Sequence, residues 1–216
     1  MLDPIPTPPT PHRLTRIAET LHLASLCVWL GAVVMSGVVA AVIFPLMRTL
    51  DPTLGAYPSF TGDHSNLAAG RIAARVFLIS DAAQFASATL ALATMALLLV
   101  RGAITNRRWG HGVRVVSLAF AITTLSYHLM ILGPRMDTSL HNYWAAAAAG
   151  DNAAAETARL AFSDDHPKAS RSLGILAVSV GVCLVSGLWA VQVPHTPSRR
   201  KRLHTKAEPV ADSTDE

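Results

Sequence analysis

Charge is what this sequence has least of. Only 15% of its 216 residues are Asp, Glu, Lys or Arg, where a soluble domain carries about a quarter. The few charges gather at the two ends and in patches between, leaving long stretches with none, and 51% of the chain is hydrophobic. That distribution excludes an ordinary soluble domain, and the length allows one compact bundle. Aromatic residues are also sparse, at 6%, and no basic stretch is interleaved with them. The net charge of +4 therefore does not point to nucleic acid; the basic residues flank apolar segments, as they do at a membrane surface. Cysteine is nearly absent. Cys27 and Cys183 lie inside apolar segments with neither C-x-x-C nor zinc-site spacing, and read as small packing residues. There is no Ser-His-Asp order, no H-E-x-x-H, no Gly-rich phosphate loop and no C-x-x-C-H, so nothing reads as an enzyme.

What is present is a set of four uncharged runs, about 21–44, 82–100, 115–133 and 173–193, of 19 to 24 residues each. About 20 residues of helix cross ~30 Å of hydrocarbon, and lipid permits no irregular backbone. The first run is too long for a cleaved signal core. The expected fold is all-α: a polytopic membrane protein, a four-transmembrane-helix bundle with both termini inside. Eleven of the 18 Lys and Arg residues fall on the inner side in that orientation (Arg13, Arg16, Arg101, Arg107, Arg108, Arg114, Arg199, Arg200, Lys201, Arg202 and Lys206) against seven outside. The expected location is the bacterial cytoplasmic membrane, with the lipid bilayer as the first partner.

Around this domain (17–193) the sequence predicts a disordered Pro-rich lead (1–16) and a disordered cytoplasmic tail (194–216), whose Arg199–Arg202 basic run suits anionic headgroups as well as topology. It predicts two outer loops, 48–71 and 135–170. Asp151 is expected to cap a short helix within the second, and Pro167, with His166 as cap, to open the fourth span.

Each run carries small and polar residues at spacings of three and four: His22, Ser25, Trp29, Ala32 and Ser36; Asp81, Gln84, Ala88 and Ala91; Ser117, Ala121, Thr124 and His128; Ser179, Cys183 and Ser186. Small residues allow close helix approach where there is no hydrophobic drive to associate. Ser25, Gly31, Ser36, Thr124, Ser179, Cys183 and Ser186 are the expected packing positions, and such faces would also serve a homo-oligomer.

Ionisable residues at membrane depth raise a functional question. A haem b held by His22 and His128 is disfavoured, since the spacing puts the two near opposite faces. An outer cluster of Asp81, His128, Arg135, His166 and Arg171 could instead form a polar cup for a metal, an anionic headgroup or a small solute. Structural alternatives stand beside it: Asp81 bridged to Arg75 or Arg135, and His128 bonded across the bundle. Three functions follow: a non-enzymatic or partner-binding bundle, a haem- or metal-binding protein using the outer cup, and a small transporter or export accessory with Asp81 and His128 on its path.

Leu21-His22-Leu23, Val28-Trp29-Leu30-Gly31 and Val42-Ile43-Phe44-Pro45-Leu46, followed by Gly133-Pro134-Arg135 and by Phe162, His166 and Ser170, resemble a bacterial and eukaryotic membrane family. It is the family of domain of unknown function 4149, with transmembrane protein 205-like proteins as animal relatives. The resemblance, over about residues 20 to 192, implies a four-helix membrane domain and adds no catalytic residue.

Overall fold

The computed structural model describes residues 13–102 and 109–192. All of its regular structure is helical. The elements are α1 (Arg13–Leu50), α2 (His64–Val100), α3 (Trp109–Tyr127), a single π-helical turn (His128–Leu132), α4 (Gly133–Ala149) and α5 (Asn152–Gln192). The α3–π–α4 run forms one continuous rod, so the described residues make four long rods, each long and apolar enough to cross a membrane. At 1.5 Å per residue the 38 residues of α1 reach roughly 57 Å, well beyond the ~30 Å of a hydrocarbon core.

The rods run antiparallel in sequence order. α1 packs along α2, α5 packs along both α3 and α4, and α1 meets α5; α2 and α3 touch only lightly, leaving a seam. Segment 51–63 and the Gly150–Asp151 turn lie at one end, the loop end. The start of α1 and the end of α5 lie at the other, the terminal end. Between them Leu26, Trp29, Ala91, Met95, Leu118, Ala121, Val180 and Cys183 fill the interior. The outer surface is apolar too: Leu78, Ile79, Val116, Met130, Val178 and Trp189 are all exposed. An apolar exterior around a core of small side chains suits a lipid solvent.

Several boundaries differ from the sequence expectation. Segment 135–170 is not a loop: α4 and α5 form a helical hairpin that turns in two residues. Its alanine-rich stretch has high helix propensity, and Gly150 closes α4 in the left-handed conformation (φ 76°). Asp151 accepts from the Ala154 N–H at 3.0 Å and caps α5, as expected of it. Loop 48–71 shrinks to 51–63, because α1 runs to Leu50 and α2 starts at His64 behind the Asp63 cap. Pro45 and Pro167 lie inside helices, so Pro167 does not open α5 and His166 does not cap it. Pro134 does not end the third span either. The π turn precedes it, with the Gly133 N–H reaching the His128 carbonyl, and the helix resumes. At the lead, residues 13–16 are already helical; residues 1–12, the 194–216 tail and its basic run lie outside the described residues.

The loop end carries a second core. Tyr57, Phe60 and Leu67 pack against Tyr143, Trp144, Ala147 and Ala155. The Arg71 guanidinium lies 4.6 Å from the Trp144 ring and donates to the Tyr57 hydroxyl. His64 pins the connecting segment, accepting from Leu54 N–H on Nδ1 (3.1 Å) and donating from Nε2 to Phe60 O (3.0 Å). At the α4–α5 turn, a Cβ on Gly150 would stand 2.8 Å from Ser59 Cβ in a left-handed backbone. Gly150→Ala is therefore expected to lower stability by about 1–2 kcal/mol or more, read as a drop in unfolding temperature in detergent micelles.

Candidate functional site

The apolar segments hold few ionisable side chains, and the fold gathers them in two places. The first lies across the α2–α3 seam. Asp81, on α2, points its carboxylate at His128, the first residue of the π turn, with Oδ1 3.9 Å from Nε2. On the far side of the ring, Nδ1 is 3.0 Å from the Ser172 hydroxyl of α5. Ser172 donates to the Ala169 carbonyl at 2.8 Å. Its oxygen is then left to accept from Nδ1–H, so the Nε2 lone pair faces the carboxylate. Two acceptors face each other beyond direct hydrogen-bond distance, each able to carry a proton. Asp81 also accepts from Gln84 Nε2 at 3.2 Å. Gln84 reaches Ser80, which bonds Ser36 (2.8 Å) and the Ala32 carbonyl (2.8 Å) on α1.

The second place, nearer the terminal end, was not anticipated. Arg114, with only 1% of its side chain exposed, donates to Glu19 at 2.6 Å. One turn along α1 from Glu19, the buried His22 ring directs Nδ1 at the Ala91 carbonyl and the Thr94 hydroxyl, both at 3.0 Å. Thr94 donates to the Leu90 and Ala91 carbonyls, so His22 carries its proton on Nδ1 and Nε2 is a bare acceptor. Glu19 and Arg114 read as flanks because each stands just outside an uncharged run. The available signal was spacing: Glu19 is three residues before His22, and Arg114 three before Ser117, on the inward stripes.

Of the five residues expected to form an outer cup, only Asp81 and His128 come together. Arg135 pairs with Asp165 at 3.0 Å, and Lys168 reaches the same carboxylate at 2.7 Å. His166 is exposed and lies against Phe162, and Arg171 is exposed. The turn of α5 that was expected to start at Pro167 is mid-helix, and this directs His166 away from the seam. Among the described residues no three His, Cys, Asp or Glu side chains converge as metal ligands. Neither Arg75 nor Arg135 bridges to Asp81. His22 and His128 have separate partners and share no site.

Among the packing positions, Ser25, Ser36, Ser179 and Cys183 are buried, and Thr124 and Ser186 half-buried. Gly31 is not a packing residue. It lies two positions from both Trp29 and Val33, about 200° round the helix from each; those two are buried, so it faces outward with nothing beside it. No family model, curated protein or solved structure matches the chain.

Proposed function

We propose that the chain is a non-enzymatic integral membrane protein, inserted N-in/C-in in the bacterial cytoplasmic membrane, that serves as a small transporter or export accessory. Its working part is the Asp81–His128 pair, which takes up and releases one proton. The observation that carries this reading is the pair's setting. Carboxylate and imidazole face each other in an apolar part of the bundle, across a lightly packed seam, from a π turn; intramembrane ionisable residues and π turns both concentrate at functional sites. The charge bias along the chain supports the orientation. The helix-one and helix-three motifs resemble those of the domain of unknown function 4149 family, which fits a membrane domain of this kind.

The test is infrared difference spectroscopy of purified protein between acid and alkaline pH. A protonated-carboxyl band is expected that vanishes in Asp81→Asn and shifts in His128→Gln, with both variants folded. If the band is absent from the wild type, or if it survives Asp81→Asn, the reading fails. If instead both variants unfold while a Ser172→Ala control does not, the pair is a lock between α2 and α3. The bundle then reverts to a packing or partner-binding role.

A further inference from the structure

Two arginines on α2 line a cavity with no carboxylate to neutralise them. Arg71 and Arg75 stand one turn apart, with Leu78 on the turn beyond, so the three share one helix face. Asp137, His141 and Trp144 share a face of α4 by the same spacing. The backbones of α2 and α4 stay apart, and the cavity between these faces holds about 500 Å³, within the ~300–1,000 Å³ of ordinary ligand sites. It lies on the loop-end side of the seam that holds Asp81 and His128, and its lining includes neither of them.

Positive charge is in excess there. Asp137 is engaged by His141, 3.2 Å away on its own helix. Neither guanidinium pairs with a carboxylate among the described residues. Arg71 is held in place, 4.6 Å from the Trp144 ring and donating to the Tyr57 hydroxyl. Arg75 makes no hydrogen bond or ion pair with the described residues. Like charges at this spacing repel, and a planar guanidinium is shaped to grip an oxyanion through two parallel N–H bonds. An oxyanion between the two arginines relieves the repulsion and uses both.

Height along the helix indicates which anion. The uncharged run of α2 begins at Ala82, where a hydrocarbon core of ~30 Å would begin. Leu78 and Arg75 lie about 6 and 10 Å beyond that point toward the loop end, the level of the leaflet's phosphate groups. Leu78 is 66% exposed on the outer surface and gives the cavity an apolar margin toward acyl chains. Trp144 is the kind of side chain that favours this layer.

We propose that the α2–α4 cavity binds a phosphate-bearing anion between Arg71 and Arg75, and that this anion is the headgroup of an acidic phospholipid. The site rests on the membrane location of the chain and not on proton exchange at Asp81–His128. No covalent bond changes: Arg71 is the fixed contact, and Arg75, which has no other partner, closes on the phosphate from the next turn.

The test is native mass spectrometry of the full chain in neutral detergent, titrated separately with phosphatidylglycerol, phosphatidylcholine and inorganic phosphate. Wild type is expected to bind one phosphatidylglycerol at least about tenfold more tightly than phosphatidylcholine. Arg75→Gln is expected to cut that preference about fivefold or more. Arg48→Gln, in the last turn of α1 and outside the cavity, should leave it unchanged. Arg75 is exposed, so its variant should fold, and the unfolding temperature in the same detergent checks this. If Arg75→Gln does not fold, Arg75→Lys, which keeps the charge but not the two-pronged grip, takes its place with about a twofold loss expected. No preference in wild type, a folded Arg75 variant that keeps it in full, or an equal loss in Arg48→Gln would overturn the site. Inorganic phosphate that binds as tightly as phosphatidylglycerol would overturn the lipid and keep the anion. The carboxyl band of Asp81 is read separately: its absence while lipid binding persists rejects the pair alone, and the reverse rejects this site alone. A chain that leaves cell membranes without detergent rejects the location on which both rest.

Discussion

Replacing Glu19 by Gln is expected to destabilise the bundle by about 3–5 kcal/mol, the range for breaking a buried ion pair from one side. The cost arises from what remains. Arg114 is 1% exposed, its Nε and second terminal nitrogen lack hydrogen-bond partners among the described residues, and Glu19 is its only ion-pair partner among them. A Cβ built on Gly187 would lie 3.4 Å from Arg114 Nε and 2.8 Å from a Leu23 methyl, so the guanidinium has little room to move. Removing the other partner is expected to cost less, because Glu19 in Arg114→Met is 21% exposed and can turn toward water. The double variant Glu19→Gln/Arg114→Met should recover much of the loss, since no charge is then stranded. Unfolding midpoints of the four proteins in one mild detergent give the cycle. A Glu19→Gln protein as stable as Arg114→Met would show that the guanidinium is not confined as described.

Trp144→Ala is expected to cost about 3–5 kcal/mol, by loss of a large buried side chain. This tryptophan stands in the loop-end cluster, where the helices extend beyond the length needed to span hydrocarbon. Where water is the competing solvent, burying apolar area of this kind drives folding directly. Trp144 packs with Tyr57, Phe60, Leu67 and Tyr143 and carries the Arg71 guanidinium 4.6 Å from its ring. The loss should be local first. Segment 51–63, which is held by this cluster and by His64, should become sensitive to protease at a denaturant concentration where the rest of the bundle persists. Cleavage no faster than in the wild type would show that the segment is secured by other contacts.

The inward stripes were legible because a helix in lipid must hide its polar groups from the solvent, and period alone reveals which face does so. Ser25, Ser36, Ser179 and Cys183 lie where their spacing put them. Gly31 does not, since it was chosen for size, and size without phase says nothing about direction. The cup of five failed for a related reason. Asp81 and His128 lie on inward faces and meet, whereas His166 and Arg171 were grouped by depth, which does not fix the angle about a helix axis, and Arg135 by its seven-residue spacing from His128, whose phase the intervening π turn breaks. The Glu19–Arg114 pair was hidden by the opposite error: charges at the edge of an apolar run were taken for surface flanks, although helices longer than the bilayer can bury them.

The sequence by itself determined four long apolar helices and the phase of each, because hydropathy and the 3.6-residue period are local quantities. It also determined the Asp151 cap, which depends on a few neighbouring residues. The tertiary structure decided which helices touch: α1 against α2, α5 against α3 and α4, and a light seam between α2 and α3. Those choices bring Asp81 to His128 and Arg114 to Glu19, residues 47 and 95 positions apart, and leave buried polar atoms unbonded on the α1 and α2 stripes. Such pairings depend on rotation and register between rods, which no single helix encodes.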